Sequence, residues 1–176
     1  MSKIRVGFSD THKFMPFSWA IKAYSGKPFS HVYIAYIDAV TSQDMVAESS
    51  NGEFHKMTRE NWNKKNKAVE EFEIELNQDV YYTVMHHINN HLQTDYSILN
   101  IFGVPFYDLY ELTGLRIFKG IAKWFTDGKA AIICSESVGF TLALLGVQFN
   151  RPFDFLRPDH IYRAVIHYKA INGKIF

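Results

Sequence analysis

The chain is almost without cysteine, with one in 176 residues, Cys134. No internal disulfide can form, so the fold must be held by its core, and the lone thiol is the residue type that serves as a candidate nucleophile in intracellular enzymes. Net charge is also nearly absent: 19 basic and 18 acidic side chains leave +1, with no basic tract or stripe. That balance argues against nucleic acid as the main partner. The first residues lack the apolar run and small-residue cleavage site of an export signal. One stretch, residues 130–149, is long and largely apolar, but Glu136, two serines, a threonine and a glutamine interrupt it. A buried helix is expected there rather than a transmembrane span. Internal repeats and low-complexity linkers are missing as well. Together these absences predict one cytoplasmic domain over residues 1–176, or a host-cell cytoplasmic one if the gene is carried by a bacteriophage. Apolar residues at 47% and aromatics at 16% are enough to fill its core.

The pattern along the chain is mixed. Residues 3–8 alternate as a short strand, Asp10-Thr11-His12 reads as a loop or cap, and residues 14–24 as an aromatic helix closed by Ser25-Gly26-Lys27-Pro28. From His31 to position 37 both alternating sets are mostly apolar, which predicts a central strand covered on both faces. Residues 45–48 and 53–57 flank Asn51-Gly52, a strong two-residue hairpin signal. A polar Lys/Asn-rich loop is expected around Trp62. Residues 69–76 then alternate with Phe72, Ile74 and Leu76 inward, as a half-exposed strand near an edge. Asp79 is the expected cap of a helix with the stripe Val80, Val84, Ile88 and Leu92. Residues 93–129 form an aromatic-rich insertion with short helices, and residues 161–170 are expected to close the sheet as a strand. The order implies an α+β domain, a central antiparallel sheet packed against helices.

Residues 131–137, Ala-Ile-Ile-Cys-Ser-Glu-Ser, carry the thiol. The apolar lead-in delivers Cys134 to the first turn of a helix running through Val138, Leu142 and Leu145 to Gly146. Unpaired N–H groups and the helix dipole there favour thiolate. A thiol so placed asks for a base, and His31, in Phe29-Ser30-His31-Val32, is the candidate. Glu48 sits at a strand end beside the strand that carries His31, with Asp38, Asn51 and Glu53 as rival carboxylate or amide partners. Each residue also has a plainer reading: a small core cysteine, a satisfied core histidine, an exposed strand-end carboxylate.

Ser30-His31-Val32 opening a buried strand, Val46-Ala47-Glu48 on the next, a tyrosine about midway, and Cys134-Ser135-Glu136 opening a helix together resemble the circularly permuted papain-like hydrolases. This is the permuted branch of the NlpC-type superfamily, which includes bacterial YiiX-like proteins and, more distantly, lecithin–retinol acyltransferase. The likeness covers residues 31–158, including Pro158-Asp159, and His precedes Cys as in that branch. Residues before His31 and the aromatic insertion depart from a minimal version of that fold. The resemblance implies a permuted papain-like domain with Cys134 as nucleophile, His31 as general base and acid, and Glu48 orienting the imidazole. The backbone N–H of Cys134 is the implied oxyanion donor, with Tyr96 as a candidate second contact.

Three functions follow as expectations. The first is a cysteine hydrolase, a peptidase or amidase, cleaving amide bonds of a peptide-like substrate such as a cell-wall peptide. The second is a thioesterase or acyltransferase using the same site on lipid or acyl substrates, with the aromatic segment lining an apolar pocket. The third is a catalytically inactive binding module. No cofactor is expected. His87 and His91 lie four apart on a helix, but no third ligand follows at recognisable spacing, so no metal is expected and an outer solvated face is their predicted home.

Overall fold

The computed structural model describes residues 2–12, 16–50, 53–95, 98–126 and 133–172. Its order is β1 (Ser2–Thr11), α1 (Pro16–Ser25), β2 (His31–Ile37), β3 (Asp44–Ser50), β4 (Glu53–Thr58), α2 (Arg59–Asn63), β5 (Asn66–Leu76), α3 (Gln78–Asn90), α4 (Ile98–Thr113), α5 (Arg116–Thr126), α6 (Cys134–Leu144), a 3-10 turn (Phe153–Phe155) and α7 (Pro158–Asn172). The expected α+β class with an antiparallel sheet is present. The sheet order is β4-β3-β2-β1-β5, with each neighbouring pair antiparallel. The doubly apolar β2 is the middle strand, and half-polar β5 lies at an edge.

The two faces of the sheet are built differently. On one, Ile4, Val6 and Phe8 of β1, Val32 and Ile34 of β2, and Ile74 and Leu76 of β5 pack against Val84 and Ile88 of α3, Val138 and Leu142 of α6, and Ile161 and Val165 of α7. Alternation places these residues on one side of the pleat, and their burial supplies the main hydrophobic stabilisation. The other face holds a small cluster of Tyr33, Ala35, Val46 and Trp62 under an ionic layer. Arg59 pairs with Glu71, Arg5 with Asp44, and Arg59 lies over the rings of Tyr33 and Trp62. Gly7 pairs with Tyr33 across the β1–β2 ladder. A Cβ on Gly7 would fall 2.1 Å from Tyr33 Cζ, so only glycine lets that ring lie flat across β1.

Several expectations change. Residues 161–170 belong to helix α7, not to a closing strand. Buried Ile161, Val165 and Lys169 recur every four residues, the helical period. Pro158 at the first helical position and Asp159 in the first turn are its start signals. The polar loop around Trp62 instead contains α2, whose N-cap Thr58 accepts the N–H of Asn61. Trp62 is fully buried. Asn77, not Asp79, caps α3 by accepting the Val80 N–H at 2.9 Å. β1 continues through Thr11 where a loop or cap is expected. The aromatic insertion forms two substantial helices, α4 and α5, packed on each other around Val104, Tyr107, Ala122 and Phe155. The Asn51-Gly52 turn and Tyr96 lie outside the described residues, though β3 and β4 pair through Ser50–Glu53 on either side of that turn.

Candidate active site

β2 and α6 are packed side by side in the core, and that seam sets the site. β2 begins at His31, so the imidazole stands at the end of the central strand. α6 begins at Cys134 after an extended Ile133. α6 is buried on nearly all sides, which explains why its sequence shows no polar stripe. It stops at Leu144, with Gly146 at φ +83° taking the left-handed turn that follows. Ser135 ties the first turn down, its hydroxyl donating to the Leu156 carbonyl at 2.5 Å. Glu136 accepts the Ile133 N–H at 3.3 Å.

The structure brings Cys134, His31 and Glu48 together. The thiol and the imidazole act on each other through charge and hydrogen bonding, and the backbone N–H groups of Val32 and Ser135 further stabilise charge on the sulfur. His31 Nε2 lies 3.0 Å from Glu48 Oε2, which leaves Nδ1 for the thiol. Glu48 is held from several sides: Trp62 Nε1 donates to Oε2 at 2.7 Å, and Ser50 Oγ donates to Oε1 at 2.7 Å. The ionic layer on the outer sheet face anchors α2, and α2 delivers Trp62 to this carboxylate. Of the rivals, Asp38 is spent on its own turn, accepting the N–H groups of Val40 and Thr41. Glu53 is exposed at the start of β4.

Electrostatics follow from these contacts. Burial would push the Glu48 carboxyl up, but the charge and hydrogen bond of His31 and the donors Trp62 and Ser50 outweigh it and bring the pKa down to about 2. Burial likewise opposes charge on His31, yet the Cys134 thiolate and Glu48 raise the imidazole well above its ordinary value. For Cys134, burial pushes up while His31 and the two N–H groups pull further down, so the thiol is lowered. Both shifts run in the direction that favours a thiolate beside an imidazolium. Glu136, part-buried on the same helix, goes the other way. Burial and the neighbouring Asp154 carboxyl, with which it is hydrogen-bonded, raise it to about 7.

A cavity of about 430 Å³ opens onto Cys134. Its walls are Ala20, Ile21 and Tyr24 of α1, Phe102, Val104 and Pro105 of α4, Ile133 before α6, Leu156 and Arg157 leading into α7, and Pro158 at its start. The few polar groups on it are already engaged. Tyr24 donates to Asp108 at 2.7 Å, Ser30 to Asp10 at 3.4 Å, and Ser135 to Leu156. Arg157 is bound by Asp159 through two nitrogens (2.8 and 3.1 Å) and by Asp108 at 2.7 Å. The aromatic insertion therefore supplies one wall through α4.

His87 does not lie on a solvated outer face. It is buried, stacked on Phe140 of α6 with centroids 4.5 Å apart, and 4.2 Å from the His91 ring. Burial and His91 lower it to about 4, so it is a neutral packing residue. Among the described residues no three His, Cys, Asp or Glu side chains converge as a metal site, and no helix is long and apolar enough to cross a membrane. Two contributors escaped the sequence reading. Trp62 had a signal, a large aromatic inside a Lys/Asn-rich stretch that only burial accounts for. Ser135 had none beyond its place after the cysteine. No protein-family model matches the chain, and no curated protein matches it.

Proposed function

We propose that the protein is a cysteine acyl hydrolase or acyltransferase that forms a thioester at Cys134, built as a permuted papain-like domain. The observation that carries the reading is the Cys134–His31–Glu48 chain of contacts, with Cys134 on the wall of an apolar cavity. The Cys134 thiolate attacks the acyl carbonyl, and its negative charge passes to the carbonyl oxygen beside the Cys134 N–H. The tetrahedral adduct collapses as the imidazolium of His31 gives its proton to the leaving alcohol, thiol or amine. Neutral His31 then takes a proton from water, or from an acceptor alcohol, which attacks the thioester and frees Cys134. Glu48 keeps the ring oriented and stabilises its charged form throughout.

The apolar lining of the cavity favours an apolar acyl group. A peptide needs several polar partners, and the polar groups on this wall are turned to partners in the protein. A hydrocarbon chain needs none. Cleavage of a peptide-like amide, including a cell-wall peptide, is the second reading and rests on the family resemblance.

A series of p-nitrophenyl esters of increasing chain length tests both. The expected result is a Cys134 acyl adduct by intact mass, absent in Cys134→Ala, with kcat/KM rising roughly fourfold per methylene until the cavity is full. No dependence on chain length would return the substrate to the peptide-like class. No adduct with any ester or amide would leave a binding module.

A further inference from the structure

We propose that the α4–α5 hairpin is a docking face for an anionic lipid bilayer, seating the protein with the mouth of the Cys134 cavity toward the membrane. On α4, Phe102, Pro105, Leu109 and Leu112 follow helical spacing and all face solvent. Phe102 and Pro105 also line the cavity, so the apolar stripe begins at its mouth. It continues past the turn into Leu115 and Ile117, and along α5 to Trp124. Leu112 is 83%, Trp124 75% and Ile117 67% exposed, far beyond scattered surface apolar residues. Across the cavity, Trp19 and Tyr24 of α1 are exposed too.

Charge selects the occupant. Arg116, Lys119 and Lys123 recur at positions three and seven apart on α5, beside the apolar arc of Ile117, Ile121 and Trp124. Among the described residues none of the three forms an ion pair with a carboxylate, and Lys119 rests on the Tyr110 ring. The acidic residues of the hairpin are paired with arginines, Asp108 with Arg151 and Arg157 and the exposed Glu111 with Arg151. Among the described residues, the exposed side thus carries aliphatic and aromatic side chains flanked by cations, and its one exposed carboxylate, Glu111, is neutralised by Arg151. That is the composition of a helix that lies in the headgroup layer with its lysines reaching up to the phosphates.

The test is cosedimentation of the full chain with vesicles of phosphatidylcholine alone and of phosphatidylcholine with phosphatidylglycerol. Wild type is expected to bind the anionic vesicles and to release with salt. Leu112→Asp with Ile117→Asp should weaken binding at least about tenfold, and Arg116→Glu with Lys123→Glu roughly fivefold per cation. All four side chains are solvent-exposed, and unchanged circular dichroism checks the fold. Cys134→Ala should bind like wild type, so a failed ester assay and a failed docking face are told apart. Absence of binding to anionic vesicles, or equal binding by the variants, would overturn the proposal. So would a dimer in sedimentation velocity that Leu112→Asp with Ile117→Asp converts to monomer without any vesicle binding, since the face would then join two copies of the chain.

Discussion

Glu48 and Glu136 flank the same thiol, and both are withdrawn from water, yet their protonation diverges. Glu48, the more deeply buried, is held to about 2, whereas Glu136 rises to about 7. The difference lies in what each carboxyl meets. Glu48 accepts from an imidazole, an indole and a hydroxyl, all donors. Glu136 meets another carboxyl, Asp154, and a single backbone N–H. Burial magnifies whichever partners are present. The region behind His31 thus favours a charged carboxylate, and the first turn of α6 favours a protonated one.

The largest effect that would break this contrast comes from His31→Ala, which removes both the base and the cation that depresses Glu48. Turnover should fall about 10⁴-fold or more, and alkylation of Cys134 by iodoacetamide below pH 8 should become that of an ordinary thiol. Unchanged alkylation would dissolve the ion pair. Glu48→Gln should cost about 10²-fold less than His31→Ala, since an amide still accepts from Trp62 and still positions the ring in part. A wild-type rate in that variant would move the orienting role elsewhere.

Trp62→Phe keeps the buried ring but deletes the indole donor. Stability to urea should drop by about 1–3 kcal/mol, and the Glu48 pKa should rise toward the ordinary range. The smallest effect concerns the sign of pH dependence. The folded pKa of Glu48 is depressed, so its stabilisation is present above pH 4.5 and fades as pH falls toward 2. The folded pKa of Glu136 is raised, so its contribution is most favourable below pH 4.5 and declines between 4.5 and about 7. Urea midpoints of Glu136→Gln should lose the downward slope over that upper window and leave the acid limb in place.

Much of this site was legible because it is local. Apolar residues on both faces of β2 marked a central strand, the Asn51-Gly52 signal marked β3 and β4 as a pair, and the apolar lead-in put Cys134 at a helix start. The rest depended on contacts between distant segments. The cavity draws walls from α1, α4 and the approach to α7, and no single window contains its pattern. The α7 segment admits two periods: Tyr162, Ala164, Ile166 and Tyr168 alternate as in a strand, whereas the buried set Ile161, Val165 and Lys169 is helical, and the Pro158-Asp159 start decides for the helix. His87 was misplaced because its partner, Phe140, lies on a helix much further along the chain.

Cys134 and His31 are separated by roughly a hundred residues, and they meet only where α6 lies against β2. A depressed thiol pKa therefore cannot persist in a partly assembled chain. Loop closure over that length must be completed before the imidazole and the sulfur share a site. The single cysteine becomes a built-in gauge of folding: its alkylation rate near neutral pH reports, without any added label, the fraction of molecules in which that seam is closed. In denaturant or during refolding, thiolate reactivity should rise and fall with docking of α6 on the sheet, a late and long-range event, rather than with the early local pairing of β3 and β4.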